Sequence, residues 1–276
     1  MGREQNVKLR FDYLMEISYS EPVGKDFFTI KGRPLSNARQ QVLEVKAQLR
    51  PETIWSEGRD SFGNHQIYGC MDGAHSSFYY HVSGLVQIGQ ILYEEKADEN
   101  EILKYRHPYG MNRPGTELRQ YFETIRRNLE ENSYVNAVYL MRRLHQDFGY
   151  QQNMTNVKTT AEEAWKLRQG VCQDYAHIFL ALCHLAGIPA RYVTGLIVGE
   201  GASHAWVEIL YRNKWIGMDP TNDVLVARSH IKLGHGRDAS DCQINRGILR
   251  GGGGMQTQRI AVSVTEAEKA LDQKQQ

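Results

Sequence analysis

The chain has 276 residues and a net charge of +1, from 33 Lys and Arg against 32 Asp and Glu, which excludes an electrostatic case for nucleic acid or an anionic membrane as a partner. No stretch approaches the roughly 18 apolar residues of a membrane span, and Met1 to Asn6 lacks the apolar core of a signal peptide, so a cytoplasmic location is expected. The four cysteines, Cys70, Cys172, Cys183 and Cys242, show neither close pairing nor Cys-x-x-Cys spacing, which argues against a disulfide framework or a zinc knuckle.

From Val7 to Tyr93 the sequence is rich in short alternating runs, at Asp12 to Tyr19, Gln41 to Leu49, Gln66 to Gly69 and Ser77 to Ile91. These read as strands. Turn signals at Pro22-Val-Gly24, Lys31-Gly-Arg-Pro34 and Asp60-Ser-Phe-Gly-Asn64 separate them, predicting an antiparallel sandwich or barrel-like domain over residues 1–95. Cys70, Asp72 and His75 lie close together, but so short a cluster without further ligands reads as a loop rather than a metal site.

Residues 96–115 are polar, contain Pro108, Gly110 and Pro114, and read as a linker. Residues 116–276 are then assigned to an α+β core with a C-terminal strand and tail. Glu117 to Leu129 reads as helix, and Ala137, Leu140, Met141, Leu144 and Phe148 recur at helical spacing. Thr160-Ala-Glu-Glu163 has the form of a capping box that starts a short helix toward Cys172.

Cys172 precedes an apolar series at helical spacing, Ile178, Phe179, Leu182 and Leu185, and Gly187 with Pro189 ends it. Cys172 therefore sits at a helix start, where unpartnered N–H groups and the positive end of the macrodipole favour thiolate over thiol. Asp174 in that first turn reads as helix-end complementarity. Arg191 to Val198 reads as a strand, and His204 to Tyr211 alternates, with Ala205, Val207 and Ile209 on one face and His204, Trp206 and Glu208 on the other. Trp215 to Asp219 looks like its hairpin partner. A two-residue loop at Arg212-Asn213 would make His204 and Asp219 diagonal neighbours on one face, about 7–8 Å apart at the backbone; a loop at Asn213-Lys214 would slip them apart, and a three-residue loop would put them on opposite faces.

A thiolate can attack a carbonyl, a histidine can move the protons, and a carboxylate can fix the histidine's tautomer. Cys172, His204 and Asp219 are the candidates for these roles. Trp206, on the His204 face, is a candidate wall of the site, and Glu208 reads as a solvated or paired carboxylate. The tail holds a Gly251 to Gly254 run, read as a turn near the site, a strand at Ile260 to Val264, and a fraying helix from Glu266 to Gln276.

Gly170-Val-Cys-Gln-Asp-Tyr-Ala176, Gly187-Ile-Pro-Ala-Arg-Tyr-Val-Thr-Gly195, His204-Ala-Trp-Val-Glu208 and Trp215-Ile-Gly-Met-Asp-Pro-Thr-Asn222, in that order, strongly resemble the bacterial transglutaminase-like superfamily. The resemblance implies a papain-like α+β core with antiparallel sheet, and assigns Cys172 as nucleophile, His204 as base and Asp219 as orienter. The first segment more loosely resembles the β domain that precedes this core in bacterial relatives. The implied activity is thiol acyl transfer through a thioester on a peptide or protein amide, most simply as a cysteine protease or amidase, with no cofactor or metal. The alternatives are a transglutaminase with an amine acceptor and a noncatalytic binding module. Hydrolysis is preferred because no calcium loop with an acidic ladder is seen and the chain has no room for the extra C-terminal β domains of the animal crosslinking enzymes.

Overall fold

The computed structural model describes residues 6–267; most of the C-terminal tail lies outside them. In chain order the elements are β1 (Val7–Ile30), β2 (Gln40–Arg50), β3 (Trp55–Arg59), β4 (His65–Ile88), α1 (Glu99–Lys104), α2 (Thr116–Ile125), α3 (Ser133–Asp147), β5 (Gly149–Tyr150), α4 (Ala161–Leu167) and β6 (Gln169–Gly170). They continue with α5 (Cys172–Leu185), β7 (Ala190–Ile197), β8 (Gly199–Gly201), β9 (His204–Tyr211), β10 (Lys214–Asp219), β11 (Val224–Leu225), β12 (His230–Gly236), β13 (Asn245–Arg250) and β14 (Gly253–Glu266).

The first sheet is antiparallel, ordered β2-β4-β1-β14-β8, with β3 also on β4 and β13 also on β1. Its two long strands show why it folds over on itself. In β1 the buried residues are odd-numbered from Leu9 to Tyr19 and at Val23, then even-numbered at Asp26, Phe28 and Ile30. Register shifts between Ser18 and Lys25 separate the two runs. A bulge moves every later side chain to the other face and bends the strand, so both halves aim into one core. Phe28 from the second half of β1 meets Phe78 of β4 at 5.6 Å between ring centroids. Pro22 to Gly24, expected as a turn, is thus a kink inside a continuous strand, because β4 goes on pairing on either side of it. The sheet stays open, which excludes the barrel alternative.

The C-terminal strand departs from the expected division of the chain. Instead of staying with the second domain, β14 returns to the first sheet and pairs with β1 from Leu9 opposite Glu266 to Glu21 opposite Gly253. Val262 and Val264 give it an apolar face that the first core buries. The glycine run turns the chain from β13 into β14 beside Pro22: a Cβ on Gly252 would lie 1.9 Å from the Pro22 carbonyl oxygen.

The second sheet is antiparallel, ordered β11-β10-β9-β7-β12. One face carries the helices: Leu118 and Phe122 of α2, Leu140 and Leu144 of α3, Trp165 of α4 and Ile178 and Leu182 of α5 share a core with Val207 and Ile209. The other face reaches the first domain, since Leu196, Ile231 and Leu233 belong to that domain's core. The sheet is therefore covered on both sides, which explains why every residue of β12 is buried.

Residues 96–115 are a packed strap rather than a free tether. Ala97 N–H donates to the Asn213 carbonyl at 3.1 Å, and buried Tyr105 stands edge-on to Trp215 at 5.5 Å. The polar residues just before it are partners of buried bases: Glu94 pairs with Arg39 and Glu95 with Arg191. No described helix is long and apolar enough to cross a membrane.

Candidate active site

Cys172 is the first residue of α5, after Val171 in extended conformation. Asp174 holds this start in place. Its carboxylate accepts from the Val171 N–H at 2.7 Å and from the Thr155 hydroxyl at 2.6 Å. Burial pushes the Asp174 carboxyl above its ordinary value, and those two donors act against that rise. The approach requires glycine at position 170, where a Cβ would lie 2.4 Å from an Asp174 carboxylate oxygen. At the far end Gly187 adopts a φ of +72°, the left-handed conformation its sequence context predicts.

The β9–β10 hairpin resolves the register left open by the sequence. Arg212 and Asn213 take φ values of +48° and +60°, so the loop has two residues. Lys214 faces Tyr211 and Met218 faces Val207. His204 and Asp219 become diagonal neighbours, and His204 Nε2 donates to Asp219 Oδ2 at 2.8 Å.

Asp219 is fully buried and heavily solvated by N–H groups. Its Oδ1 accepts from the backbone N–H of Thr221 at 3.0 Å and of Asn222 at 3.3 Å. Its Oδ2 accepts from Asn222 Nδ2 at 2.7 Å, His204 at 2.8 Å and His230 Nε2 at 3.2 Å. Burial alone would raise this carboxyl, but the two imidazoles and Asn222 outweigh it and hold it well below the usual carboxylate range. The same balance acts on His204: burial opposes its charge, while the bonds to Asp219 and Cys172 prevail and raise the imidazole to about 10.

Cys172 and His204 open into one cleft of about 580 Å³. Its opposite wall comes from the first domain, through Tyr13 and Met15 of β1 and Gln258 and Ile260 of β14. Tyr150, Tyr192, Gln152, Gln243 and Asn245 complete much of the lining, and none of the lining residues is Asp, Glu, Lys or Arg.

Trp206 does not wall this cleft. It is fully buried, packed with Val193 and Val226 and ring to ring with His204 at 6.2 Å. It backs the imidazole from beneath, in space kept free by Gly195, where a Cβ would lie 2.2 Å from the indole. Glu208, two residues further along β9, is fully buried and paired with Arg191 at 2.6 Å and Lys232 at 2.8 Å. In the first domain, Asp72 pairs with Lys25 at 2.8 Å and His75 Nδ1 meets the Gly73 carbonyl at 2.8 Å.

Among the described residues, two groups of side chains bring ligand-type atoms within 4.8 Å of one another: His204, Asp219 and His230, and Glu95, Glu101 and His235. The first set is already joined by its own hydrogen bonds. In the second, the Arg191 guanidinium contacts all three residues. His230 is the site residue that sequence reasoning missed. It begins β12 with no motif around it, and only the packing of that strand carries it to Asp219.

A family model described as "Transglutaminase-like superfamily" matches residues 119–220, and one described as "Bacterial transglutaminase-like N-terminal region" matches residues 9–87. An uncharacterized protein of Mycobacterium leprae is 28% identical over 255 residues, covering 85% of this chain and 90% of that protein. An uncharacterized protein of Mycobacterium bovis is 36% identical over 126 residues, and that match spans 40% of each chain. A protein-glutamine gamma-glutamyltransferase of Pseudomonas aeruginosa is 31% identical over 107 residues, 33% of this chain and 16% of that one. Among solved structures, a candidate cysteine protease from Cytophaga hutchinsonii aligns with a TM-score of 0.78 and 19% identity, over 96% of this chain and 92% of that one.

Proposed function

The chain belongs to the transglutaminase-like superfamily, and on that premise we propose that it is a thiol acyl-transfer enzyme in which Cys172, His204 and Asp219 form the catalytic triad. The observation that carries this reading is the 2.8 Å bond from His204 to Asp219, beside a thiol at the head of α5, in a shared cleft. His204 takes the proton of the Cys172 thiol, the thiolate attacks the carbonyl carbon of an amide, and the oxyanion is met by the backbone N–H of Cys172, which at this position in the helix has no carbonyl one turn back. His204 then delivers that proton to the departing nitrogen as the C–N bond breaks. A thioester remains on Cys172. Water, deprotonated by His204, then attacks the thioester, releasing a carboxylic acid and the thiol. Asp219 stays a carboxylate throughout and holds the imidazole in place.

Hydrolysis is the favoured outcome because Cys172 and His204 are both partly open to solvent, so water reaches the thioester. The substrate is a peptide or protein amide, and a lining without charged carboxylate, amine or guanidinium side chains suits uncharged groups on either side of the scissile bond. Amine transfer is the second reading, favoured by the Pseudomonas relative's stretch of similarity.

The test is limited iodoacetamide labelling with peptide mass spectrometry to read each cysteine. Cys172 is expected to alkylate selectively below pH 7 and to lose that selectivity in His204→Ala. Ordinary or absent labelling of Cys172 overturns the enzyme reading and leaves a binding module that keeps the fold. Incorporation of a labelled primary amine into a glutamine-bearing protein would select transfer over hydrolysis.

A further inference from the structure

His230 touches neither the cleft nor the reacting sulfur, yet it shares an oxygen with the base. Its Nε2 lies 3.2 Å from Asp219 Oδ2, the atom that also accepts from His204. Its Nδ1 lies 3.0 Å from the Ser229 hydroxyl. The ring is buried, edge-on to Trp206 at 5.3 Å and 6.1 Å from the His204 ring. Its backbone carbonyl accepts from Arg39 of the first domain at 2.9 Å, and that guanidinium also bonds the Ala227 carbonyl at 2.8 Å.

We propose that His230 is a positioning residue: as a neutral imidazole it donates from Nε2 to Asp219, with Ser229 donating into Nδ1, and so limits how tightly Asp219 holds the His204 proton. This rests on the triad reading given above. A carboxylate oxygen that serves several donors, here His204, His230 and Asn222, offers less negative charge to each. His204 must release its proton to a leaving nitrogen, so an orienting carboxylate that binds the imidazolium too strongly would hinder the step it supports.

The charges around His230 fit a neutral ring. Asp219 on β10 favours protonation, whereas His204 on β9 and Arg39 from β1–β2 disfavour it, and burial, the largest influence, lowers its pKa. On its own strand Lys232 is committed to Glu208. The arrangement gives the β domain a part in the chemistry, since Arg39 fixes the chain on which His230 is carried.

The test is side-chain nitrogen NMR on protein labelled at its 10 histidines, assigned with single-site variants. In the unmutated protein His230 is expected to remain neutral, protonated at Nε2, from pH 5 to 9. In His230→Leu the His204 midpoint is expected to rise by about one to two units, the equivalent in pKa of a hydrogen bond to a charged group. His230→Gln, whose amide nitrogen reaches the same place, should return it to near the unmutated value. A His230 that titrates between pH 5 and 9, that carries its proton on Nδ1, or whose loss leaves the His204 midpoint unchanged overturns the proposal. The tautomer measurement needs no variant, so an unstable His230→Leu still leaves the question decided. Failure of the triad reading looks different: His204 would titrate near its ordinary 6.5 and ignore Cys172→Ser, and that outcome removes both.

Discussion

The start and the middle of β9 use one strand face for two opposite purposes. At its middle Glu208 is sealed between Arg191 and Lys232, with Arg191 reaching on to Glu95, and all of Arg191 and Glu208 is withdrawn from solvent. At its start His204 meets Asp219 at a comparable distance, but the imidazole borders the cleft and its other partner is a thiol. Between them Trp206 fills the same face. The middle pair joins a carboxylate to the Arg191 guanidinium, which keeps its charge at any ordinary pH, so it fixes strand order and does no chemistry. The end pair joins a carboxylate to a group that can gain and lose a proton where a substrate can reach it. A buried charge pair becomes a candidate site through titratability and access, and its strength does not decide the matter.

The sharpest way to break this comparison is Asp219→Asn. Removing the negative charge while keeping the shape should cost about 10⁴-fold in turnover or in Cys172 alkylation below neutral pH, as expected for a triad whose histidine loses its orienting carboxylate. The His204 midpoint should fall from about 10 toward its ordinary value. If alkylation is unaffected, the end of β9 is as inert as its middle.

Arg191→Met tests the other pair. It strands Glu208 in a dry environment and should destabilise the fold by about 3–5 kcal/mol, read as a lowered denaturant midpoint. Folded Arg191→Met protein should keep the Cys172 alkylation profile of the unmutated chain. A changed profile would mean that the two positions are coupled.

Stability against pH separates them further. His204 is raised in the folded state, so its contribution is complete below about pH 6.5 and is lost as pH climbs through about 10. Asp219 is lowered, so its contribution is present above about pH 4 and is lost as pH falls toward its folded value. Unfolding midpoints taken from pH 4 to 11 should decline between about 6.5 and 10 by an amount on the order of a few kcal/mol. That decline should be absent in His204→Ala. The Arg191 pair should contribute no slope in this window.

The smallest effect concerns what lies between. Trp206→Phe keeps an aromatic ring behind His204 but leaves part of its space empty, which should cost about 1–2 kcal/mol in thermal unfolding. A modest loss of alkylation selectivity is expected with it. Full selectivity at reduced stability would assign Trp206 to packing alone.

Local signals carried much of this molecule. Cys172 was legible because a helix start, an apolar 3.6-residue rhythm and a terminating Gly187 lie within one short stretch. The capping box was legible for the same reason, and Thr160 and Glu163 do exchange the expected bonds, at 2.8 and 3.3 Å. The His204 and Asp219 pairing was legible as one of three registers. Only the positive φ values at Arg212 and Asn213 chose among them, and these depend on the strands being held by their neighbours.

The failures have physical causes of another kind. Pro22 to Gly24 carries every local mark of a turn, but long strands pairing on both sides absorb it as a bulge. Residues 96–115 carry the composition of a linker, but Glu101 reaches buried Arg191, and Ala97 and Tyr105 pack with Trp215, partners supplied by strands far away in sequence. Trp206 shares a face with His204, yet whether that face meets a cleft or a core depends on what packs over it.

The sequence by itself determined the chemistry-bearing residue types, their order, the helix that presents the thiol and the family whose fold arranges them, because each of these rests on short-range periodicity and motif. Tertiary structure alone decided that β14 returns to the first sheet to wall the cleft, that His230 and Arg39 stand behind Asp219, and that Glu208 is sealed while His204 is not. Those outcomes depend on burial and on pairings between residues up to more than two hundred positions apart, and a buried polar group selects its partner by proximity in space, about which neighbours along the chain carry no information.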